Sequence, residues 1–309
     1  MCARDYMLCP HARTCGRAPH DDRNRAMSAS RIALITGTSS GIGLATAVAA
    51  AQSGWQVVAT MRNTAKAERL LAAAGEAGVA ERFRVMALEV TDSASVTECV
   101  DAALAAHGRL DAVVNNAGAG ALGTAEHVSI ADVRAAMEVN YFGVVSVTQA
   151  TLPHLRASRG RLVTVTSVGG VVGQPFNDAY CAAKFAVEGF MESLAPVAAT
   201  AGVRVSVIEP GAVASEFVAS QQIDIPAMLD AAGPYASALQ AYINRTRASF
   251  GNAQSAADAA KVIIATLDAD EPPFRVQTSD WARDFVGTKL ADVDGSRVQQ
   301  LTAEWVAAS

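Results

Sequence analysis

The sequence predicts an α/β fold in which helices cover both faces of a doubly wound parallel sheet. Short β-branched runs alternate with helical segments over residues 31–208, and repeated strand–helix–strand units of this length specify parallel strands. The strand candidates are apolar almost throughout, which is typical of strands that are buried on both faces. Apolar residues make up 51% and charged residues 18% of the 309-residue chain, a composition that suits a globular protein with an ample core.

Charge and hydropathy argue against two classes of protein. The formal net charge is −5, whereas proteins that bind nucleic acid usually present a basic face. No apolar run reaches the ~18 residues of a transmembrane helix, so no membrane-spanning segment is expected. Cys99 lies in a predicted helix and Cys181 in the helical stretch near residue 180. Both are expected to be reduced thiols, which favours a cytoplasmic protein.

Residues 1–28 are predicted to form a disordered leader, because they are polar and Arg-rich without hydrophobic periodicity. Cys2, Cys9 and Cys15 match no standard zinc-ligand spacing, so no metal site is expected. Met27 stands just before the first strand and is a possible start. Whether residues 1–26 belong to the natural protein stays open.

The first predicted strand, residues 31–36, leads through a glycine-rich turn into a helix over residues 44–53. Glycines let the backbone approach a pyrophosphate, and the helix N-terminus supplies free N–H groups and the positive end of a dipole. The pattern predicts a Rossmann-like dinucleotide site, although glycine turns also serve plain packing of a helix on a strand. The turn contains Gly37, Ser39, Ser40, Gly41, Ile42 and Gly43.

The end of the second predicted strand, residues 55–60, indicates which dinucleotide is bound. A site that holds the ribose 2′-hydroxyl of NAD usually carries an acid near this point. The chain has Met61 and Arg62 instead. A guanidinium without a neighbouring acid suits a 2′-phosphate, so NADP(H) is favoured over NAD(H). The alternative is that Arg62 is a solvated surface arginine.

The middle of the chain continues the alternation. Further strands are predicted at residues 83–90, 110–115, 161–166 and 203–208, with helices at 64–74, 96–106, 129–156 and about 179–199. Pro196 stands late in the last helix, where it removes a backbone donor and is expected to kink or end that helix.

After residue 211 the pattern changes. Residues 212–251 are predicted to cover the crevice as a lid, with packing of a C-terminal subdomain as the alternative. Their large side chains are Phe217, Met228, Tyr235, Leu239, Tyr242 and Phe250. A helix over 254–268, an edge strand over 273–277 and surface helices over 279–292 and 296–307 are expected to follow. No linker divides the chain, so residues 29–309 are predicted to form a single catalytic domain.

Three side chains near the centre of the chain can move a proton. Tyr180 and Lys184 are four residues apart and project from one face of the predicted helix. Ser167 ends the preceding strand, at the edge where open α/β sheets bind ligands. Taken alone, a Tyr–Lys pair would more often be an exposed helix pair. The histidines His107, His127 and His154 belong to no motif.

Together, these residues resemble the ordered motif set of the short-chain dehydrogenases/reductases. The motifs are residues 36–43, residues 115–118, Asn140, Ser167, Tyr180 with Lys184, and residues 210–211. The resemblance covers about residues 30–220 and is greatest to the 17β-hydroxysteroid and retinol dehydrogenase branch. It implies an oxidoreductase that acts on CH–OH groups with NAD(P), assembled as a homodimer or homotetramer.

The resemblance also implies a role for each motif residue. Tyr180 would be the general acid in reduction and the base in oxidation, with Lys184 and the nicotinamide charge lowering its pKa from the ordinary ~10. Ser167 would hold the substrate oxygen, Lys184 also the nicotinamide ribose, and Asn140 a water near Lys184. The cofactor would contact the glycine turn, Arg62, Glu89, Val90, Asn116, Ala117, Gly118, Tyr180, Lys184, Pro210, Gly211, Val213 and Ser215.

The chain departs from the family at four places. Glu89 stands where aspartate is usual near the adenine amine, Ser215 replaces a commoner threonine, and Ala183 replaces a frequent serine. Pro196 is unusual in its helix, which forms subunit contacts in the family.

The main hypothesis is an NADP(H)-dependent enzyme that interconverts a carbonyl and an alcohol on a hydrophobic, steroid-, retinoid- or lipid-like substrate. Residues 168–178 are expected to form an apolar wall of the substrate site. Two alternatives stay open. One is a non-catalytic or weakly catalytic NADP-binding redox sensor. The other is an acyl-chain 3-ketoreductase, which would want a basic patch for its carrier that is not obvious in the sequence.

Overall fold

The computed structural model describes residues 30–215, 224–251, 253–291, 300, 301 and 304. The predicted leader with its three cysteines and Met27, the predicted lid residue Phe217, and most of the helix expected over 296–307 therefore lie outside the described residues.

The central sheet has seven strands, all parallel, in the order β3-β2-β1-β4-β5-β6-β9. This arrangement confirms the predicted doubly wound α/β fold. The strands are β1 (Ile32–Thr36), β2 (Gln56–Met61), β3 (Phe83–Ala87), β4 (Ala112–Asn115), β5 (Arg161–Val165), β6 (Arg204–Glu209) and β9 (Arg275–Gln277). A separate parallel ribbon joins β7 (Val213–Ala214) to β8 (Gln254–Ser255).

The helices cover both faces of this sheet. They are α1 (Gly41–Gln52), α2 (Glu68–Glu76), α3 (Ser93–His107), α4 (Ile130–Met137), α5 (Gly143–Ser158), α6 (Asp178–Thr200), α7 (Ile225–Ala231), α8 (Ala236–Gly251), α9 (Ala256–Asp268) and α10 (Asp280–Leu290). Short 3-10 turns precede α2, β3, α6 and α8, and a π turn, Glu138–Phe142, joins α4 to α5.

The strands are apolar throughout because each side chain meets a core, whichever face it points to. Along β1, Leu34 joins the cluster that holds residues of α3, α5 and α6, whereas Ile35 joins the cluster that holds residues of α1, α2 and α9. Both side chains are fully buried, and each such burial contributes about 2 kcal/mol. Within the described chain, no helix combines the length and apolar character that crossing a bilayer requires.

Two local expectations need correction. The third strand ends at Ala87 instead of residue 90, because the Glu89 N–H donates to the Ser95 hydroxyl at 3.0 Å. The other concerns Pro196, which does not end its helix, since α6 continues to Thr200. Pro196 is exposed, so water can satisfy the carbonyl that its missing N–H leaves unpaired.

Candidate active site

A cavity of about 860 Å³ opens at the carboxyl ends of the central strands. It collects residues that follow β1, β2, β4, β5 and β6, which is where open α/β sheets bind ligands. Every residue predicted to contact the cofactor lines it. These residues are Gly37, Ser39, Ser40, Gly41, Ile42, Gly43, Arg62, Glu89, Val90, Asn116, Ala117, Gly118, Tyr180, Lys184, Pro210, Gly211, Val213 and Ser215.

The glycine turn forms a cradle that side chains would fill. Gly37 and Gly41 have φ values of 72° and 56°, a left-handed region that favours glycine. A Cβ atom on Gly43 would lie 2.2 Å from the Gly37 carbonyl oxygen. The start of α1 therefore packs directly on the turn, and residues 40–43 at the N-terminus of this helix line the cavity. This arrangement fits the pyrophosphate of a dinucleotide.

Asn116 fastens this turn to the neighbouring strand. Its Nδ2 donates to the carbonyl oxygens of Thr36 at 2.9 Å and Gly37 at 3.1 Å. The Thr36 hydroxyl in turn accepts from the backbone N–H groups of Asn116 and Ala117, each at 2.9 Å. The side chains of Thr36 and Asn116 thus fix the end of β1 against the end of β4.

The three proton-handling residues predicted from sequence lie together. Lys184 Nζ is 5.8 Å from the centroid of the Tyr180 ring and donates to the Val165 carbonyl oxygen at 3.1 Å. Ser167 accepts from the Gly169 N–H at 3.0 Å. A Cβ on Gly169 would lie 3.3 Å from both Ser167 Oγ and Tyr180 Cε1, so this glycine lets the serine and the tyrosine share one corner of the cavity.

Burial is the largest influence on the pKa values of Tyr180 and Lys184. It raises the pKa of Tyr180 to about 12, opposed by a hydrogen bond with Ser167. Burial also lowers the pKa of Lys184 to about 8, opposed by the charge of Glu188. Without cofactor, the Tyr180 pKa therefore moves in the direction opposite to the one that the resemblance implied, because desolvation of the phenolate outweighs other effects.

Asn140 stands behind the cavity and does not line it. It lies in the π turn with no exposed surface, and its Nδ2 donates to the carbonyl oxygens of Ala119 at 2.8 Å and Ala136 at 2.9 Å. Its Oδ1 accepts from the Ala119 N–H at 3.2 Å. A Cβ on Gly118 would lie 3.0 Å from Asn140 Oδ1 and 3.6 Å from Lys184 Nζ, so Asn140 anchors a loop that touches Lys184.

The end of the cavity beside β2 carries mixed charge. Arg62 is 80% exposed, and its Nε lies 3.9 Å from Glu89 Oε2. The sequence argument found no acid beside Arg62, but Glu89 reaches this point from the end of the neighbouring strand. Lys66 and Arg69, which the sequence argument missed, line the same end. Lys66 and Arg69 stand four and seven residues after Arg62, and this repeated positive charge is the sequence signal that could have identified them.

The opposite end of the cavity is walled by α8 and the loop before α6. Asn177 Nδ2 donates to the Tyr242 hydroxyl at 2.6 Å. Gly211 packs against an aromatic ring, since a Cβ there would lie 2.9 Å from Trp281. Gln174 and Asn177 line this end from the predicted wall over 168–178, and Arg245, Thr246 and Ser249 line it from the predicted lid over 212–251. Trp281 also lines it and was not predicted from sequence.

The expected apolar wall over residues 168–178 is largely wrong. Of this stretch, only Val168, Gln174 and Asn177 line the cavity. Val171 and Val172 are buried instead, in a cluster with side chains of α8 and α10.

A second cavity of about 510 Å³ lies next to the first and shares Ala119, Gly120 and Val139 with it. Its other walls are mainly apolar and include Met228 and Leu239. His127, which belongs to no sequence motif, also lines it. In the described part of the chain, no group of three or more His, Cys, Asp or Glu residues is placed to hold a metal ion.

The chain is similar to known oxidoreductases. A family model described as short chain dehydrogenase matches residues 31–225. Retinol dehydrogenase 8 of Bos taurus is 37% identical over 277 residues, which cover 87% of this chain and 88% of that protein. Human 17-beta-hydroxysteroid dehydrogenase type 1 is 35% identical over 272 residues, covering 86% and 82%.

Solved structures show the same fold. A short chain dehydrogenase/reductase from Burkholderia phymatum in complex with NAD is 26% identical with a TM-score of 0.74, covering 86% of this chain and 94% of that one. A variant of the actinorhodin polyketide ketoreductase with NADPH is also 26% identical, with a TM-score of 0.67, covering 80% and 95%.

Proposed function

Because the chain belongs to the short chain dehydrogenase family, we propose that it is an NADP(H)-dependent enzyme that interconverts a carbonyl and an alcohol on a hydrophobic substrate. The family makes it an oxidoreductase with a nicotinamide cofactor. The observation that carries the proposal is the single cavity in which the glycine cradle of β1 and the Ser167–Tyr180–Lys184 group lie side by side.

In the proposed function, different residues of the cavity bind the cofactor and the substrate. When bound, the nicotinamide cofactor supplies or accepts the hydride. The glycine turn would bind its pyrophosphate through backbone N–H groups, and Pro210, Gly211, Val213 and Ser215 would frame the nicotinamide end. In this scheme Ser167 donates a hydrogen bond to the substrate oxygen, which fixes the carbonyl beside Tyr180.

Tyr180 is proposed as the group that exchanges a proton with that oxygen. Burial keeps the phenol protonated at neutral pH, which suits a general acid in reduction. In oxidation the phenolate must form, and the Lys184 ammonium one helical turn away would stabilise it. The proposal for Asn140 is that its turn keeps a water near Lys184. Its side-chain amide bonds Ala119 and Ala136, so such a water would use a backbone atom of the turn.

Three cations support NADP(H) as the cofactor. Arg62, Lys66 and Arg69 line the end of the cavity beside β2, where a 2′-phosphate would accept charge-assisted hydrogen bonds. Glu89 opposes this preference, and Glu68 lies at the same end. The cations outnumber these acids, so the balance favours a phosphate over a bare hydroxyl.

The substrate class follows from relatives and from the neighbouring cavity. The two relatives are named for activity on retinol and on 17-beta-hydroxysteroids, and the second cavity adds mainly apolar walls beside the first. A steroid-, retinoid- or lipid-like molecule is therefore proposed.

The test is a substrate screen on the full-length chain that follows NADPH absorbance, with NADH in parallel. We expect reduction of apolar ketones or aldehydes with NADPH, and a loss of 10²- to 10⁴-fold in rate for Tyr180→Phe with NADPH binding retained. Turnover that Tyr180→Phe leaves unchanged would refute the assignment of the acid. A strong preference for NADH would refute the assignment of the cofactor.

Three coarser features complete the proposal. Residues 29–309 are taken as one catalytic domain, since β9 pairs with β6 and so joins the C-terminal part to the sheet. Cys99 and Cys181 are buried free thiols, as suits a cytoplasmic protein. Family resemblance supports a homodimer or homotetramer, which light scattering of the purified protein would test.

A further inference from the structure

Helix α6 carries a third ionisable side chain at the spacing of the first two. Tyr180, Lys184 and Glu188 follow one another at intervals of four residues, so all three lie on one face of the helix. Lys184 is 5% exposed and Glu188 is 4% exposed. Neither the sequence argument nor the proposed mechanism uses Glu188, although a carboxylate is rarely buried without a reason.

Glu188 belongs to a cluster in which one guanidinium serves three carboxylates. Arg275 Nη1, on β9, lies 3.2 Å from Glu188 Oε2 and 3.1 Å from Glu209 Oε1. Its Nη2 lies 2.9 Å from Glu192 Oε2. Glu209 has a further partner, since Gln277 Nε2 donates to its Oε2 at 2.8 Å. One positive charge therefore faces three carboxylates, so the cluster carries an excess of negative charge when all three are ionised.

The nearest cation outside this cluster on the same helix face is Lys184, one turn before Glu188. Gly170 brings the active-site loop onto this turn, since a Cβ there would lie 3.0 Å from Glu188 Cγ and 3.1 Å from the Lys184 carbonyl oxygen. With no side chain at Gly170, the loop packs closely on this helical turn, where Lys184 and Glu188 are almost fully buried. Charges at buried positions interact more strongly than the same charges in water.

The protonation tendencies agree with this arrangement. Burial lowers the pKa of Lys184 to about 8, and the charge of Glu188 acts in the opposite direction. Burial raises the pKa of Glu188 to about 7; Thr166 and Arg275 oppose this rise, whereas Glu209 and Glu192 add to it. Above neutral pH, Glu188 is therefore ionised where Lys184 would otherwise lose its proton.

We propose that Glu188 is a positioning residue whose buried carboxylate keeps the Lys184 ammonium charged, and so keeps Lys184 able to assist Tyr180. The proposal rests on the role given to Lys184 in the proposed function. The competing explanation is that Glu188 only fastens β9 to α6 through Arg275. The two explanations differ in one measurable respect, which is whether the protonation of Lys184 responds to the charge at position 188.

The chain offers a direct readout of that protonation. It contains four lysines, Lys66, Lys184, Lys261 and Lys289, so a protein labelled with ¹³C at lysine Cε gives four signals. The Lys184 signal is assigned by its loss in Lys184→Met. Titration of the full-length chain then gives the midpoint for Lys184 without any assay of turnover.

We expect Glu188→Gln to lower the Lys184 midpoint by about one pH unit, since a neighbouring unit charge is lost from a buried site. Glu188→Asp keeps the charge, so the Lys184 midpoint should stay close to its wild-type value. Glu192→Gln is the matched control, because Glu192 contacts the same guanidinium but is 64% exposed and two turns from Lys184. It should leave the Lys184 midpoint unchanged.

An unmoved Lys184 midpoint in Glu188→Gln would overturn the proposal, as would an equal shift in Glu192→Gln. Glu188→Met serves if the glutamine variant does not fold, since an apolar side chain of similar volume avoids burying an unpaired polar group. The wild-type titration adds a check that needs no variant at position 188: ionisation of Glu188 near pH 7 should appear as a second inflection of the Lys184 signal, and a single inflection would count against the proposal.

The pH dependence of the reduction rate tests this inference separately from the proposed function. If a substrate is found, the decline of the reduction rate at alkaline pH should move to lower pH by a similar amount in Glu188→Gln and stay in place in Glu192→Gln. If no carbonyl is reduced, the proposed function fails while the shift of the Lys184 signal still decides the role of Glu188.

Discussion

The Arg62 guanidinium and the Glu89 carboxylate face each other at the end of the cavity beside β2, with 3.9 Å between Nε and Oε2. Arg62 is 80% exposed, so the pair is worth little in water and can exchange partners readily. One member attracts a phosphate and the other repels it. Under the proposed function, these two side chains therefore act in opposite directions on the choice between NADP(H) and NAD(H).

Replacing Arg62 with alanine should weaken NADPH binding by about 10- to 100-fold, because charge-assisted hydrogen bonds to the 2′-phosphate are lost. NADH binding should change little. Calorimetry with both cofactors measures the difference, and Arg283→Ala, an exposed arginine on α10, is the control. Equal losses for NADPH and NADH would show that Arg62 does not read the phosphate.

Glu89→Gln should change the cofactor preference in the opposite direction to Arg62→Ala. Removing the carboxylate frees the Arg62 guanidinium and removes a repulsive charge, so the ratio of NADPH to NADH affinity should rise several-fold. The same calorimetric comparison measures the ratio. A falling ratio would mean that the carboxylate helps to bind the adenosine end instead of opposing the phosphate.

Gly43→Ala should abolish or strongly weaken cofactor binding. The added Cβ would lie 2.2 Å from the Gly37 carbonyl oxygen, so the turn must open before a pyrophosphate can bind. Gly75→Ala in α2 is the matched control, because its Cβ meets nothing within 4 Å. That change should stabilise the helix by about 1 kcal/mol. Fluorescence quenching by NADPH and thermal unfolding distinguish the two variants.

The rate of carbonyl reduction should fall as the pH rises through about 8. Lys184 has its pKa lowered to about 8 by burial, so its charge is present below this pH and lost above it, whereas the Tyr180 phenol keeps its proton to about 12. Bound cofactor will move both values. A pH–rate profile with saturating NADPH measures the alkaline limb. A rate that stays flat to pH 10 would contradict an active role of the lysine charge.

Tyr242→Phe should raise the KM for substrate several-fold with a smaller change in kcat. The hydroxyl accepts a 2.6 Å hydrogen bond from Asn177, which joins α8 to the loop before Tyr180 and so fixes one wall of the cavity. The matched control is Tyr235→Phe, since Tyr235 is exposed and bonds Glu126 at 2.8 Å outside the cavity. Identical KM values for the two variants would show that this bond does not hold the substrate wall.

Periodicity and strand ends made most of the fold and the catalytic group predictable. Ser167 ends a strand, and Tyr180 and Lys184 are one helical turn apart, so local geometry alone brings them to one edge of the sheet. The glycine turn is local in part: the left-handed φ values of Gly37 and Gly41 and the close approach of Gly43 to the Gly37 carbonyl lie within seven positions. Its attachment to the neighbouring strand through Asn116 is not local.

The failures at the candidate site involve contacts between distant segments. Glu89 reaches Arg62 only because β2 and β3 are neighbours in the sheet, and Val171 and Val172 are buried because α10 packs against them. The burial that raises the pKa of Tyr180 to about 12 without cofactor could not be predicted from sequence for a related reason. A helical spacing shows that a lysine is near, whereas the desolvation of the phenol depends on everything packed around it.

The small β7–β8 ribbon has a consequence for how this chain can diversify. Val213 pairs with Gln254 and Ala214 with Ser255, so the two ends of the segment between them meet at one point beside the cavity that Val213 lines. Closing a loop at a fixed base becomes only slowly more costly as the loop lengthens. A change in the length of this segment should therefore cost little stability and leave Ser167, Tyr180 and Lys184 in place at the sheet edge.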